Sequence, residues 1–140
     1  MDIEIFKGLW YSEIVMKNRN RFYIFGDNDL RKGLGGQACI RRCFNTQGIR
    51  TKKEPSMNEG SFYKDLEYSE NILKIERDIQ KVKTISKNYI IVFSENGFGN
   101  GYAQLKERAP ATYAYLCKRL KEEFHFDNVK GSLINEKMVI

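Results

Sequence analysis

Two periods of apolar residues run along the chain, one typical of strands and one typical of helices. The apolar run of Asn88–Phe93 lacks alternation, as expected of a central strand covered on both faces. Short apolar or β-branched runs predict strands at Asp2–Phe6, Arg21–Phe25, Gln47–Thr51 and Asn88–Phe93, with Val129–Ile140 left for an edge strand. Helical spacing predicts helices at Leu9–Lys17, Gln37–Phe44, Ser69–Ile85 and Pro110–Phe124.

The helix predictions rest on inward-facing apolar stripes. In the first helix the stripe is Leu9, Trp10, Ile14 and Val15, and in Ser69–Ile85 it is Ile72, Ile75, Ile79 and Val82. Ser69 is a suitable N-cap for the longer helix. Strands that alternate with helices indicate a single α/β domain over residues 1–140, a three-layer α/β/α arrangement with a mixed or largely parallel sheet.

Composition and charge indicate which classes of partner the protein binds. The chain carries a net charge of +6 and a pI near 9.2, which favours nucleotides, nucleic acid or phosphorylated metabolites as partners. Lysine-rich surfaces also serve solubility alone. No apolar stretch approaches the ~20 residues that cross a bilayer, so we expect no membrane partner.

The cysteines and the single histidine do not form a metal-ligand pattern. Cys39 and Cys43 share a helical spacing, but Cys117 and His125 lie far along the chain, and zinc needs a closed ligand set. Three free thiols and an acidic start without an apolar leader segment favour the cytoplasm, or the host cytoplasm if a phage encodes the chain. We expect no metal and no cofactor.

Two glycine-rich segments follow predicted strands and hold six of the eleven glycines. The first glycine loop, Gly33–Ala38, reads GLGGQA, and Asp27 and Asn28 precede it at a strand end. Glycine there lets backbone N–H groups approach a phosphate, and a carboxylate at that strand end can accept a hydrogen bond from a ribose or an adenine. The alternative is a turn that merely reverses the chain.

The second glycine loop, Gly97–Gly101, reads GFGNG and directly follows the most apolar strand. Alternating glycines can form a nest of N–H groups that binds one or two phosphates. Phe98 either stacks on a base or sugar, or pins the loop to the core. We expect a β-branched residue at Gly99 to abolish ligand binding and to leave the fold intact.

Few residues between the two glycine loops have side chains suited to binding a ligand or to catalysis. Thr51, Lys52 and Lys53 follow a predicted strand, and one lysine can neutralise a phosphate, although lysines in a loop are also typical of a solvated surface. The polar segment Lys52–Tyr63 is long for a connection and is typical of a lid or binding segment. Asp27 is either a general base or a turn-forming residue.

These motifs carry a family resemblance. The block IIVFSENGFGNGYAQLKERAP at Ile90–Pro110 resembles the strand-loop-helix of macrodomains, where a glycine loop wraps the diphosphate of ADP-ribose. The block GDNDLRKGLGGQA at Gly26–Ala38 resembles the other macrodomain contact region, most closely in minimal macrodomains that remove ADP-ribose from nucleic acid or protein. The chain also resembles small uncharacterised bacterial and phage proteins that share GDN, GGQA, TKK-x-PS and G-x-G-x-G blocks.

The resemblance implies roles for individual positions. Asp27 would contact adenine, Gly35 and Gly36 would face the distal ribose, and Gly97–Gly101 would hold the diphosphate. It also implies a macromolecular partner that carries ADP-ribose, either a nucleic acid or a protein.

One departure separates the chain from the hydrolases it resembles. Those enzymes place an Asp shortly after the second loop, where Tyr102, Ala103 and Gln104 stand here. A catalytic lysine is matched by Lys52 or Lys53, but the acidic partner is missing. The resemblance is therefore compatible with a binder as well as with a hydrolase.

The sequence thus predicts binding of ADP-ribose or a related nucleotide or signal between the two loops, with sequestration or hydrolysis as its purpose. Asp27 and Lys52 are the candidate catalytic residues. The alternative from another class is a basic nucleic-acid-binding module. The predicted ligand-binding residues are Asp27, Asn28, Gly33, Gly35, Gly36, Gln37, Thr51, Lys52, Asn96, Gly97, Phe98, Gly99, Asn100 and Gly101.

Overall fold

Four parallel strands form the centre of the molecule. The computed structural model describes residues 1–134. The strands are β1 (Ile3–Phe6), β2 (Arg21–Asn28), β3 (Thr46–Lys52) and β4 (Ile90–Ser94). They are ordered β1-β4-β2-β3, and each neighbouring pair is parallel. A separate antiparallel hairpin is made of β5 (Phe126–Asp127) and β6 (Ser132–Leu133).

Helices and short turns connect these strands. The α-helices are α1 (Ser12–Lys17), α2 (Tyr68–Ile85), α3 (Leu105–Arg108) and α4 (Pro110–Phe124). Single 3₁₀ turns lie at Gly36–Ile40, Glu59–Ser61, Asp65–Glu67 and Gly101–Ala103.

The sheet is covered on both faces, because successive side chains of a strand point to opposite sides. Ile24 of β2 and Phe93 of β4 belong to the larger core, which α2 and α4 cover. Tyr23 and Val92, next to them in sequence, belong to the smaller core beneath α1 and the 3₁₀ turn at Gly36–Ile40. The expected α/β class with helical layers around the sheet is confirmed.

The parallel register brings the carboxyl ends of the inner strands to one edge of the sheet. Ile24 of β2 pairs with Phe93 of β4, and Asn28 of β2 pairs with Lys52 of β3. Both glycine loops therefore leave the sheet at the same edge, as expected from the order of the elements.

Several helix boundaries differ from the expected ones. Helix α1 begins at Ser12, and Leu9, expected on its inward stripe, is 87% exposed. Helix α2 begins at Tyr68, and its N-cap is Glu67 without a side-chain hydrogen bond, so the prediction of Ser69 as the cap is wrong. The preceding 3₁₀ turn Asp65–Glu67 runs directly into the helix and sets its start.

The predicted helix at Gln37–Phe44 is only the 3₁₀ turn Gly36–Ile40. Arg41 reaches back to the carbonyl oxygens of Gly33 and Lys32, and Cys43 N–H closes a turn onto Ile40 before β3 begins. The expected edge strand in Val129–Ile140 is represented by β6, which pairs with β5 rather than with the main sheet. Residues 135–140 of that prediction lie outside the described residues.

Candidate functional site

One cleft lies at the carboxyl edge of the parallel sheet, where open α/β sheets bind ligands. Its volume is about 690 Å³, within the range of small-molecule sites. The ends of β2, β3 and β4 line it, together with both glycine loops. All fourteen residues that the sequence singled out lie on its wall: Asp27, Asn28, Gly33, Gly35, Gly36, Gln37, Thr51, Lys52, Asn96, Gly97, Phe98, Gly99, Asn100 and Gly101.

Left-handed backbone shapes the second glycine loop. Gly97, Gly99 and Gly101 have φ angles of 70°, 80° and 59°, a region that glycine enters without a steric penalty. The N–H groups from Gly99 to Tyr102 donate to no group within residues 1–134. Four consecutive donors without an acceptor form a surface suited to an anion.

The first glycine loop offers a second group of such donors. Within the described chain, the N–H groups from Gly33 to Gly36 have no acceptor. The ring of Tyr102 comes within 3.5 Å of the position that a Cβ on Gly36 would take, so the two loops contact each other. The cleft is therefore bordered by backbone donors from two distant parts of the chain.

Gln37 joins the two loops instead of reaching freely into the cleft. Its Oε1 accepts the N–H of Gly26 at 3.0 Å, and its Nε2 donates to the carbonyl of Gly97 at 2.8 Å. The backbone carbonyl of Gln37 also accepts the indole N–H of Trp10 at 3.0 Å. Both ends of the Gln37 amide are thus used to hold the walls at a fixed distance.

Asp27 is engaged by two arginines. Its Oδ2 lies 2.9 Å from Arg31, and its Oδ1 lies 2.6 Å from Arg41 and accepts the N–H of Asn28 at 2.8 Å. The side chain lies directly across Gly48 of β3, where any Cβ would collide with it. A general base needs a free lone pair directed at substrate, so this geometry gives Asp27 a positioning role and does not favour the catalytic one.

The arginine network continues into the core through α2. Asp78 is completely buried and bonds Arg31 at 2.7 Å and the Arg50 side chain at 3.0 Å. It also accepts the backbone N–H of Arg50 at 2.8 Å. Burial of charge is tolerated when it is fully paired, and this network anchors the strand ends beneath the first glycine loop.

Lys52 brings an unpaired positive charge to the cleft. Lys52 is only 6% exposed, and no carboxylate of residues 1–134 is within ion-pair distance of its amine. The amine donates to the carbonyl of Ser56 at 2.5 Å and lies 4.7 Å from the centre of the Phe62 ring. Burial lowers the pKa of Lys52, and the nearby Arg108 lowers it further.

Neutral hydroxyl groups lie near the base of the cleft. Thr51 is 2% exposed, and its hydroxyl bonds no group in the described part of the chain. Gly26 leaves open space there, because a Cβ on it would meet nothing nearer than Gln37 Oε1 at 3.8 Å and Thr51 Oγ1 at 3.9 Å. Ser94, the last residue of β4, accepts the N–H of Asn96 at 3.1 Å.

The structure decides between the two alternatives for Phe98 and corrects the expectation for Gly99. Phe98 is 1% exposed, and its ring meets Phe93 edge to face at 5.5 Å, so it pins the loop to the core and is not placed to stack on a ligand. A β-branched residue at Gly99 would strain the fold, contrary to the expectation that it leaves the fold undisturbed. Its Cβ would lie 3.0 Å from buried Leu105, on backbone with φ of 80°.

The family comparison covers most of this architecture. Residues 5–119 match the model of DUF7831, a family of unknown function. The chain belongs to the DUF7831 family. Searches of curated proteins and of solved structures found no match. The DUF7831 match contains β2, β3 and β4, the last two residues of β1 and both glycine loops, and it ends before the β5–β6 hairpin.

Sequence reasoning missed several residues of the cleft in this DUF7831 protein. Trp10 and Leu9 reach it from the segment before α1, and no local motif signals that approach. Ser94 is the last residue of β4 and Gly26 lies two residues before the end of β2, and a position so near a strand end is a signal that could have found them. Tyr102 follows the second glycine loop and is 66% exposed at the cleft, where an aromatic ring is free to contact a ligand.

The arrangement favours binding of a phosphate-containing molecule over metal or acid–base chemistry. Within residues 1–134, no group of three or more His, Cys, Asp or Glu side chains is placed to hold a metal ion. The cleft wall described here contains one carboxylate, Asp27, and it is engaged by Arg31 and Arg41. Among the described residues, no helix is long and apolar enough to span a membrane.

Proposed function

We propose that this protein binds ADP-ribose or a closely related nucleotide in the cleft at the carboxyl edge of its sheet. The observation that carries the proposal is the meeting of two glycine loops, about sixty residues apart, around one cavity of about 690 Å³. Each loop contributes backbone N–H groups that have no acceptor within the described chain. A diphosphate would accept hydrogen bonds from these donors.

Charge supports an anionic ligand. Lys52 lies on the cleft wall without a carboxylate partner among the described residues, whereas neighbouring Lys53 bonds Glu67 at 2.5 Å. The walls also contain aromatic and apolar groups, Trp10, Leu9 and Tyr102, which suit the ring of a base. The resemblance of both loops to macrodomain segments names ADP-ribose as the first compound to test.

Binding is favoured over hydrolysis by the state of the carboxylates. Asp27 is engaged by two guanidinium groups, and Ala103 stands where the resembling hydrolases carry an acidic residue. Within residues 1–134 the cleft wall therefore offers no free carboxylate to act as general acid or base, which leaves Lys52 as the candidate whose role the release assay below tests. We therefore propose a protein that sequesters or reads its ligand.

A thermal-shift screen tests the proposal. ADP-ribose, NAD, ADP and cyclic nucleotides are added to the folded protein, and the midpoint of thermal unfolding is followed as each concentration rises. A ligand at about a hundred times its Kd stabilises by roughly 2.7 kcal/mol, which raises Tm by on the order of 10 °C. Absence of a saturable shift with every compound would contradict the proposal.

A matched pair of glycine substitutions places the ligand in the cleft. Gly26→Ala adds one methyl group to the open base of the cleft and meets no atom nearer than 3.8 Å, so the fold tolerates it. We expect the ADP-ribose Kd to rise by about tenfold, since the methyl occupies ligand space. Gly60→Ala also adds a methyl in open space, but away from the cleft, and we expect an unchanged Kd.

An assay for release of ADP-ribose from modified protein and modified nucleic acid separates the binder from a hydrolase. We expect no release above the level of buffer alone. Release that disappears in Lys52→Ala would assign catalysis to this site and replace the binding role.

A further inference from the structure

The second glycine loop receives support from the hairpin β5–β6, which lies beyond the DUF7831 match. Asn128, in the turn of this hairpin, is 3% exposed. Its Oδ1 accepts the N–H of Phe98 at 2.7 Å, and its Nδ2 donates to the carbonyl of Phe98 at 2.9 Å. One side chain thus satisfies both backbone groups of Phe98, the second residue of the loop, as a neighbouring strand would.

Direct backbone packing accompanies these bonds. A Cβ on Gly97 would lie 2.5 Å from the Asn128 carbonyl oxygen, and a Cβ on Gly131 would collide with the backbone of Glu95. The hairpin therefore packs closely against Gly97 of the loop and against Glu95, two residues before the loop begins. Such close approach leaves neither segment room to shift independently.

The hairpin turn is itself rigidly held. Asp127 Oδ1 accepts the N–H groups of Val129 and Lys130 at 3.0 and 2.9 Å, and the Asp127 carbonyl accepts the N–H of Gly131 at 2.8 Å. Phe126, fully buried, packs on Phe93 with ring centres 4.9 Å apart. Asn128 is therefore presented from a fixed support.

The contacts of Asn128 continue to the cleft wall. Its Nδ2 lies 3.4 Å from the hydroxyl of Tyr113, which in turn lies 3.4 Å from Asn100 Oδ1. Asn100 Nδ2 donates to the carbonyl of Asn96 at 2.8 Å. The four donors without acceptors, Gly99 to Tyr102, begin at the residue after the one that Asn128 holds.

We propose that Asn128 is a positioning residue of the cleft, which fixes the second glycine loop in the conformation that binds the anionic part of the ligand. This inference rests on the proposed function. Asn128 does not itself line the cleft. Its loss leaves the loop free to sample other conformations, and binding must then select the competent one at a cost in affinity.

The test compares two buried asparagines. Asn128→Ala removes the two bonds to Phe98, and Asn71→Ala removes two bonds of similar length, to the Lys64 carbonyl and to Thr112, at a site away from the cleft. For Asn128→Ala we expect the Kd for ADP-ribose to rise by about tenfold or more, and for Asn71→Ala we expect a change within about twofold. Calorimetric titration well below the Tm of each variant measures this.

A ligand-free measurement keeps this inference separate from the proposed function. Backbone NMR order parameters of residues 97–102 should fall in Asn128→Ala and stay at the wild-type level in Asn71→Ala. If the wild type binds no ADP-ribose, the proposed function fails and the order parameters alone decide the positioning role. Unchanged order parameters would overturn it, as would a loosened loop with undiminished affinity where the wild type binds.

Asn128→Asp serves if the alanine variant does not fold. The two side chains have the same size, and the carboxylate still accepts the N–H of Phe98 but has no proton to donate to its carbonyl. We expect lower order parameters and weaker ADP-ribose binding than in the wild type. Wild-type values of both would overturn the proposal.

Discussion

At the scale of single residues, the charge of Lys52 indicates that the cleft favours an anionic ligand. A lysine removed from water without a carboxylate partner loses solvation that its own loop replaces only in part, with the Ser56 carbonyl and the sulfur of Met57 at 3.4 Å. With the face of the Phe62 ring, these are neutral partners only, and no carboxylate of residues 1–134 pairs with the amine. A phosphate in the cleft would provide the missing negative charge.

Removal of the Lys52 charge should weaken ligand binding. We expect Lys52→Gln to raise the ADP-ribose Kd by about tenfold, because a point charge close to a phosphate is lost. Lys53→Gln is the control, since Lys53 bonds Glu67 and does not line the cleft. Calorimetric titration measures the Kd of both variants. An equal loss of affinity in the two would show that the effect comes from net charge and not from the position of Lys52.

The stability of the unliganded protein should respond to pH through the same residue. The folded state lowers the pKa of Lys52 below its ordinary 10.5, so in the window between these two values the unfolded chain binds more protons. The free energy of unfolding of the wild type should therefore rise with pH in that window, relative to Lys52→Met. Denaturant titrations of both proteins from pH 7 to pH 11 measure this, and a constant difference would contradict it.

The amino-acid sequence predicted which residues line the cleft, but it did not predict which contacts their side chains make. Glycine spacing at strand ends is a backbone property, and it predicted where both loops would lie. The engagement of Asp27 by Arg31 and Arg41 depends on side chains that the fold brings together. Asn128 was missed for the same reason, because its partner Phe98 lies thirty residues away.

At the scale of elements, α2 and α4 are joined by a charged cluster on their outer side. Glu76 of α2 bonds Arg119 of α4 at 2.7 Å and accepts hydrogen bonds from Tyr115 and Gln80. These bonds, with that from Arg119 the strongest, lower the pKa of Glu76 to about 2. The cluster supplements the apolar contact between the two helices that cover one face of the sheet.

The Glu76 cluster should make the helix pair sensitive to acid. We expect Glu76→Gln to destabilise the protein by about 1 kcal/mol at neutral pH, a value reduced for solvent exposure. The folded pKa is depressed, so the contribution is present above pH 4.5 and is lost as pH falls towards 2. Unfolding midpoints of wild type and variant should converge over that interval, and the control is Glu70→Gln, at an exposed position of α2 outside this cluster.

Helices were predictable from the sequence where a long apolar stripe was present. The apolar stripes of α2 and α4 extend over many turns, and α4 begins and ends at the expected residues. The segment after the first glycine loop carries a helical pattern over two turns only. There the bonds from Arg41 to the loop carbonyls override local preference.

At the scale of the whole molecule, the net charge of +6 raises the question of whether the protein binds nucleic acid. A ligand held by neutral N–H groups and one lysine should lose less than about tenfold in affinity between 50 and 200 mM salt, whereas a duplex binder with six or more phosphate contacts loses about a thousandfold or more. Titrations of ADP-ribose and of a DNA duplex at both salt concentrations separate the two. Tight, steeply salt-dependent duplex binding without ADP-ribose binding would favour the nucleic-acid module.

The strand order β1-β4-β2-β3 also determines when this protein can fold. Ile3 pairs with Ile91, so the first strand has to wait for a partner almost ninety residues downstream. A ribosome must therefore release most of the chain before β4 can enter between β1 and β2 and complete the sheet. Until then β1 has no neighbouring strand, and its backbone N–H and C=O groups remain without ladder partners.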